Sequence, residues 1–259
     1  MPEVIDLSMW AILAITLGLF IGSAVVGAWI SRSGKTGGGT SITTLHSAIL
    51  GMLALLVGFT FAMALSRHEA RRISLLEEAN AIGTAALRAR MIPAPYSAQS
   101  IALLAEYIEI RQKIAEMGPV HVEREVLVER SNAIQETLWR YAMDLAARDS
   151  AMVPTGLYID ALNTTIDLQT TRLAAGSAHI PEVVFLTIYF VACCAMGFSG
   201  YVSALEGSRL GYSTVLMAFL LSAVIMLIHD LDRPTEGFIR LNQQPMIDTG
   251  RSIADWQKS

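Results

Sequence analysis

Residues 42–65 read ITTLHSAILGMLALLVGFTFAMAL, and residues 66–91 continue as SRHEARRISLLEEANAIGTAALRARM without a proline. The first stretch carries no Asp, Glu, Lys or Arg over its 24 residues. A helix rises about 1.5 Å per residue, so about 20 residues cross a hydrocarbon core about 30 Å thick. Residues 42–65 therefore predict a membrane span.

The polar stretch that follows keeps helical spacing. Ile73, Leu76 and Ile82 recur at helical intervals, and no proline interrupts the chain before Pro93. Proline ends helices because it lacks a backbone donor. We therefore predict one helix of about 50 residues, in which the second span continues as a rigid stalk.

Three further runs without charge are long enough to span a bilayer, at residues 7–30, 183–205 and 210–228. Only 16% of the chain is Asp, Glu, Lys or Arg, whereas soluble domains have about 25%. The fold class predicted is all-α, with four transmembrane helices in two hairpins and a helical bundle between spans two and three.

The domain organisation follows from this spacing. We expect spans one and two within residues 1–65, a helical domain at 66–180, spans three and four within 181–230, and a tail at 231–259. The tail has Pro245 and no clear periodicity, so we expect it to be irregular.

Within the helical domain, apolar residues recur with helical spacing and no period-two runs occur. Amphipathic helices are predicted at about residues 97–116, 122–147 and 155–175.

Basic residues near the span ends set the orientation. On the side of the helical domain these are Arg67, Arg71, Arg72, Arg172, Arg233 and Arg240. The other side has Arg32, Lys35 and Arg209. This bias places both termini and residues 66–180 in the cytoplasm. The net charge of −4 gives no reason to expect a nucleic-acid partner.

The search for catalytic and metal-binding motifs is negative. No two of the five histidines are spaced for a helical zinc site, and neither GxSxG nor CxxC occurs. The sequence therefore predicts no enzyme, no cofactor and no metal.

One apolar stripe lies inside span two. Met52, Leu56, Phe59 and Met63 follow i, i+4, i+7, i+11 spacing. Such a stripe in a symmetric bundle forms a hydrophobic constriction that gates a pore. The alternative is ordinary packing between helices.

A polar stripe follows on the stalk. Glu77, Asn80, Thr84 and Arg88 share one helix face. Asn80, Thr84 and Arg88 are candidates for a cytoplasmic vestibule that contacts anions. The alternative is that hydrogen bonds to other helices of the bundle satisfy the stripe.

The end of span four carries the cluster of Asp230, Asp232 and Arg233. We interpret it as an ion pair at the membrane exit, either within the cluster or with a stalk arginine. Cation coordination by the two aspartates is the alternative, although calcium prefers six to eight oxygen ligands and fewer are present here.

The chain resembles the bacterial bestrophin-like membrane family. The resemblance is carried by EEANAIGTA at residues 77–85, by LDRP at 231–234, and by Ile180-Pro181 before span three. It implies a pentameric anion channel of the bacterial inner membrane with both termini cytoplasmic and a pore lined by span two. The dense acidic calcium cluster of bestrophins is not matched here, where only Asp230, Asp232 and Glu236 lie nearby.

The leading functional hypothesis is therefore a homo-oligomeric passive chloride channel in the lipid bilayer. The rival is a non-conducting membrane scaffold or sensor that relays a signal through its cytoplasmic helices. A membrane enzyme is the third and weakest hypothesis.

Overall fold

The computed structural model of the chain describes residues 8–33, 39–117, 122–149, 152–207, 211–233 and 237–257. Among these residues 89% are helical and none lies in a strand. The predicted all-α class is confirmed.

Eight α-helices follow one another in the described part of the chain. They are α1 (Met9–Ser33), α2 (Gly39–Ala89), α3 (Tyr96–Glu116), α4 (Val122–Arg148), α5 (Leu157–Ser177), α6 (Glu182–Leu205), α7 (Tyr212–Asp232) and α8 (Gln244–Trp256). A kink at Met152–Gly156, in which Val153 has an extended backbone (φ −129°, ψ 125°), precedes α5.

Four segments are long and apolar enough to cross a membrane, and they contain α1, the first part of α2, α6 and α7. The predicted four spans are confirmed. The prediction of one long second helix is also confirmed, because α2 has 51 residues. Helices α3, α4 and α5 match the three predicted amphipathic helices to within two residues at their ends.

The prediction of an irregular tail is wrong. Residues 244–256 form α8, with Pro245 in its first turn, where a missing backbone donor costs nothing. Met246 and Ile253 are both completely buried, two turns apart on one face. Residues 244–256 are strongly amphipathic at helical spacing, so the sequence does carry a signal for this helix, and the error came from taking Pro245 as a helix breaker.

The chain divides into two compact units. The membrane unit comprises Met1–Ser66 and His179–Arg233, and the polar unit comprises Arg67–Ala178 and Pro234–Ser259.

In the membrane unit, small residues let α1 and α6 pack backbone to backbone. A Cβ on Gly200 would overlap the backbone of Ala24, and a Cβ on Gly27 would overlap the backbone of Gly197. The sequence motif that suggests close packing is a different one, Gly18 and Gly22, and neither has another helix within 4 Å of a Cβ. Close approach of this kind is the usual way in which membrane helices associate.

In the polar unit, α3, α4, α5 and α8 enclose the second part of α2 around one apolar core. Its largest buried apolar side chains include Ile82, Leu104, Ile134 and Leu162. The guanidinium of Arg71 donates to the carbonyls of Ala175 and Ala178 at 3.2 and 2.6 Å. These carbonyls lie at the C-terminal end of α5, where a cation is favoured.

Candidate functional site

The transmembrane part of α2 is the least buried of the four spans. In the most apolar stretch of this span 17% of the residues are buried, whereas 39% are buried in the corresponding stretch of α7. An apolar cleft of about 250 Å³, lined by Leu53, Val57, Met217 and Leu221 among others, separates α2 from α6 and α7. Helix α2 therefore packs loosely against the rest of the membrane unit and leaves much of its surface bare.

Three of the four pore-lining candidates lie on this bare surface. Met52 is 49% exposed, Phe59 65% and Met63 38%. Leu56 differs, because it packs partly against the core of the membrane unit. The structure thus brings Met52, Phe59 and Met63 together on one exposed face and places Leu56 at its edge.

The vestibule candidates also separate into two kinds. Asn80 and Thr84 are exposed on α2. Arg88 instead donates from Nη1 to the Leu157 carbonyl at 2.6 Å and to Asp160 at 2.9 Å. Arg88 therefore forms an ion pair with Asp160 of α5, whereas the side chains of Asn80 and Thr84 are exposed to solvent.

Apolar side chains accompany these two polar residues on the exposed face of α2. Ile73, Leu76 and Leu87 are each between 43% and 48% exposed. Leu87 therefore shares the exposed face of Asn80 and Thr84, and not the buried face of Ile82. Exposed apolar residues at helical spacing outside the membrane are typical of a protein interface.

The cluster at the end of α7 is buried and tied to the start of α6. Asp230 is 2% exposed and Asp232 is 7% exposed. The carboxylate of Asp232 accepts from the backbone N–H of Ile180 at 3.0 Å and lies 3.5 Å from Nδ1 of His179. Asp232 therefore fixes the segment that enters α6.

Sequence reasoning missed the most buried charge cluster in the described structure. Glu78 of α2 is completely buried and faces Arg111 of α3 and Arg172 of α5. Its Oε2 accepts from Arg172 Nη1 at 2.6 Å and from Arg111 Nη2 at 3.4 Å. Its Oε1 lies 2.7 Å from Arg111 Nε, at an angle that leaves this N–H without a hydrogen bond.

Neutral groups extend this cluster. The hydroxyl oxygen of Tyr107 lies 3.2 Å from the carboxylate of Glu78 and 2.8 Å from the side-chain amide oxygen of Gln169. It also accepts a hydrogen bond from the side-chain amide of Gln135. Gln169 in turn donates to Asn132 at 2.7 Å. Burial, followed by the charge of Glu78, raises the pKa of Tyr107, so the hydroxyl stays protonated. The cluster thus joins α2, α3, α4 and α5.

The sequence does contain a signal for this cluster. Glu78 sits at a core position between the buried residues Leu75 and Ile82, and Arg111 sits between the buried Ile108 and Ile114. A charged residue inside an apolar helical stripe indicates a buried ion pair, because an unpaired charge is too costly to bury.

No three His, Cys, Asp or Glu side chains come together to hold a metal ion in the described ranges.

Comparison with known proteins identifies the family. A bestrophin-like domain model matches residues 13–246. A leucine-to-threonine variant of a bacterial bestrophin homologue from Klebsiella pneumoniae superimposes with a TM-score of 0.70 at 16% identity, over 97% of this chain and 99% of that one. The same homologue solved by Zn-SAD phasing gives a TM-score of 0.68 at 16% identity, over 96% and 98% of the two chains.

At this identity the superposition shows the common fold. No curated protein matches the sequence at a significant level. The family match covers nearly the whole chain, and the family consists of membrane channels and not of enzymes. The chain belongs to the bestrophin-like family, a family of membrane anion channels.

Proposed function

We propose that this protein is a passive anion channel, formed by a closed ring of identical chains in which α2 of each copy lines the central pore. Chloride is the expected permeant ion. The bacterial inner membrane is the proposed location, with both termini and the polar unit in the cytoplasm. A pentamer is the proposed assembly by analogy with bestrophins.

The bare surface of α2 is the observation that carries this proposal. A helix that packs loosely on its own chain and exposes uncharged side chains is suited to line an axial pathway in a symmetric ring. Met52, Phe59 and Met63 would form its narrow apolar part. The exposed apolar residues of α2 in the polar unit support an assembly that covers them.

Fewer residues are proposed to contact anions in the vestibule than the sequence predicts. Because Arg88 is paired with Asp160, the exposed amide of Asn80 and hydroxyl of Thr84 are the stronger candidates for contacts with a passing anion.

Phe59 gives the sharpest test of conduction. We expect Phe59→Ala to raise chloride efflux from reconstituted vesicles about tenfold. Removing the phenyl groups from the constriction should lower the barrier to dehydration of a passing anion by on the order of 1.5 kcal/mol. This change corresponds to about a tenfold increase in rate.

Phe190→Ala is the matched control. Phe190 lies on α6 and is 68% exposed, close to the 65% of Phe59, so both substitutions remove the same group from an equally bare site. Leu56→Ser is less suitable, because Leu56 packs partly in the core. Equal efflux from the two phenylalanine variants, or no efflux from any form, would contradict the proposed pore.

Under the scaffold hypothesis, the same exposed apolar residues bind a different protein and not a second copy of this chain. If Ile73, Leu76 and Leu87 bind another protein, a purified homogeneous sample in lipid should lack a closed ring of copies. Measurement of the subunit number by mass photometry in nanodiscs separates the two hypotheses.

A further inference from the structure

The apolar cleft that separates α2 from α6 and α7 is a cavity within one chain. Its volume of about 250 Å³ exceeds the roughly 150 Å³ of an apolar protein cavity that takes up benzene. All of the side chains that line it are Leu, Val, Met or Ala. A water molecule in a protein needs two to four polar partners, which these side chains do not offer. The cleft is therefore suited to an apolar occupant and not to water or an ion.

The cleft lies near the middle of the membrane spans. Leu53 of α2 and Met196 of α6 both line it, and each is at least nine residues from either end of its span, at 42–65 and 183–205. At a rise of 1.5 Å per residue, both positions are roughly 13 Å or more from the span ends. At this depth the medium around the protein is the hydrocarbon of the lipid tails.

The wall that α7 contributes to the cleft is open to that medium. Leu220 and Val224 line the cleft and are 55% and 38% exposed. The exposed Leu216 and Leu227 continue this surface along α7. Membrane helices pack on one another through small residues, as Gly200 of α6 does against α1. The large side chains beside the cleft are therefore suited to contact with lipid and not with a helix of a second copy.

On α2, the cleft lies opposite the exposed face that carries Met52, Phe59 and Met63. Leu50 lines the cleft, and nine residues separate it from Phe59. Nine residues are two and a half helical turns, which puts the two side chains on opposite sides of α2. A ring of copies with Phe59 at its axis leaves the cleft on the outer side of α2, and this step rests on the proposed function.

We infer that the end of a phospholipid acyl chain binds in this cleft and holds α2 against α6 and α7. An empty cleft leaves its lining side chains without van der Waals partners on one side, and a hydrocarbon chain supplies these contacts. The chain needs no hydrogen-bonding partner, which suits a site without polar side chains in the bilayer core.

Photolabelling tests this inference. The full-length protein is reconstituted with a phospholipid that carries a diazirine near the end of its acyl chain, irradiated and digested, and the labelled peptides are identified by mass spectrometry. We expect strong labelling at residues 50–57 and 217–224. Val25 and Val26 of α1 are 50% and 55% exposed, so they report the weaker labelling by the surrounding bilayer.

Two variants should remove the label from the cleft. Ala54→Phe fills the space that Ala54 lines, and Val57→Phe fills it from the next turn. Ala62→Phe is the matched control, because Ala62 is an exposed alanine about two turns further along α2 and does not line the cleft. We expect both cleft variants to lose most of the label at residues 217–224 and the control to retain it.

Equal labelling of the cleft and of α1 in the wild type would overturn the inference, and so would labelling of the cleft that both variants retain. Side chains of a second copy inside the cleft of the assembled protein would overturn it as well. Chloride efflux is measured separately on the wild type. A protein that conducts without a labelled cleft contradicts only this inference, and a labelled cleft without conduction contradicts only the proposed function.

Discussion

Replacing Glu78 by glutamine is expected to destabilise the polar unit by about 3–5 kcal/mol, because it leaves two buried guanidinium groups without their carboxylate. Glu78 is completely buried and contacts both Arg111 and Arg172 within 3 Å. No other carboxylate in the described structure pairs with either arginine. The unfolding midpoint in detergent should therefore fall by on the order of 10 °C.

Glu77→Gln is the matched control for this experiment. Glu77 is the adjacent residue and is exposed, so the same loss of charge should change stability by less than about 0.5 kcal/mol. If the two variants unfold at similar temperatures, the buried cluster does not stabilise the unit as the contacts indicate.

The second large effect is expected at the contact of α1 with α6. A Cβ on Gly200 would overlap the backbone of Ala24, so Gly200→Ala must push the two helices apart. We expect a loss of about 3 kcal/mol, at the upper end of the usual cost of overpacking. The midpoint of thermal unfolding and the yield of folded protein measure this loss.

Gly197 provides the control one turn away on the same helix. A Cβ there would meet the carbonyl oxygen of Ser23 at 3.6 Å, an ordinary contact distance. Gly197→Ala should therefore leave stability nearly unchanged. Because alanine has the higher helix propensity, that effect alone would stabilise both variants slightly. A similar loss in both would therefore contradict the close approach at Gly200 as its specific cause.

The membrane architecture could be predicted from sequence because its signals are local. Uncharged runs of the right length define the spans, and a helical pattern without proline defines the stalk of α2. The position of Pro93 after α2 also agrees with its end at Ala89.

The features that the sequence did not reveal depend on contacts between distant residues. The apolar stripe of Leu75 and Ile82 distinguishes Glu78 from Glu77, but it could not identify the partners of Glu78, which lie 33 and 94 residues away. Likewise, Gly18 and Gly22 form the recognisable motif, whereas Gly27 and Gly200 make the contact.

The sequence could predict only the part of the candidate site that depends on local helical spacing. Helical spacing placed Met52, Phe59 and Met63 on one face, and they lie together on an exposed face of α2. Spacing could not show that Arg88 pairs with Asp160, because that contact joins residues 72 positions apart.

The structure of the assembled protein tests the proposed channel most directly. Electron cryomicroscopy of the full-length protein in lipid nanodiscs should show a closed ring of copies, with α2 of each copy next to the central axis and Phe59 facing it. A monomer, or a ring whose α2 helices face the surrounding lipid, would contradict the proposal.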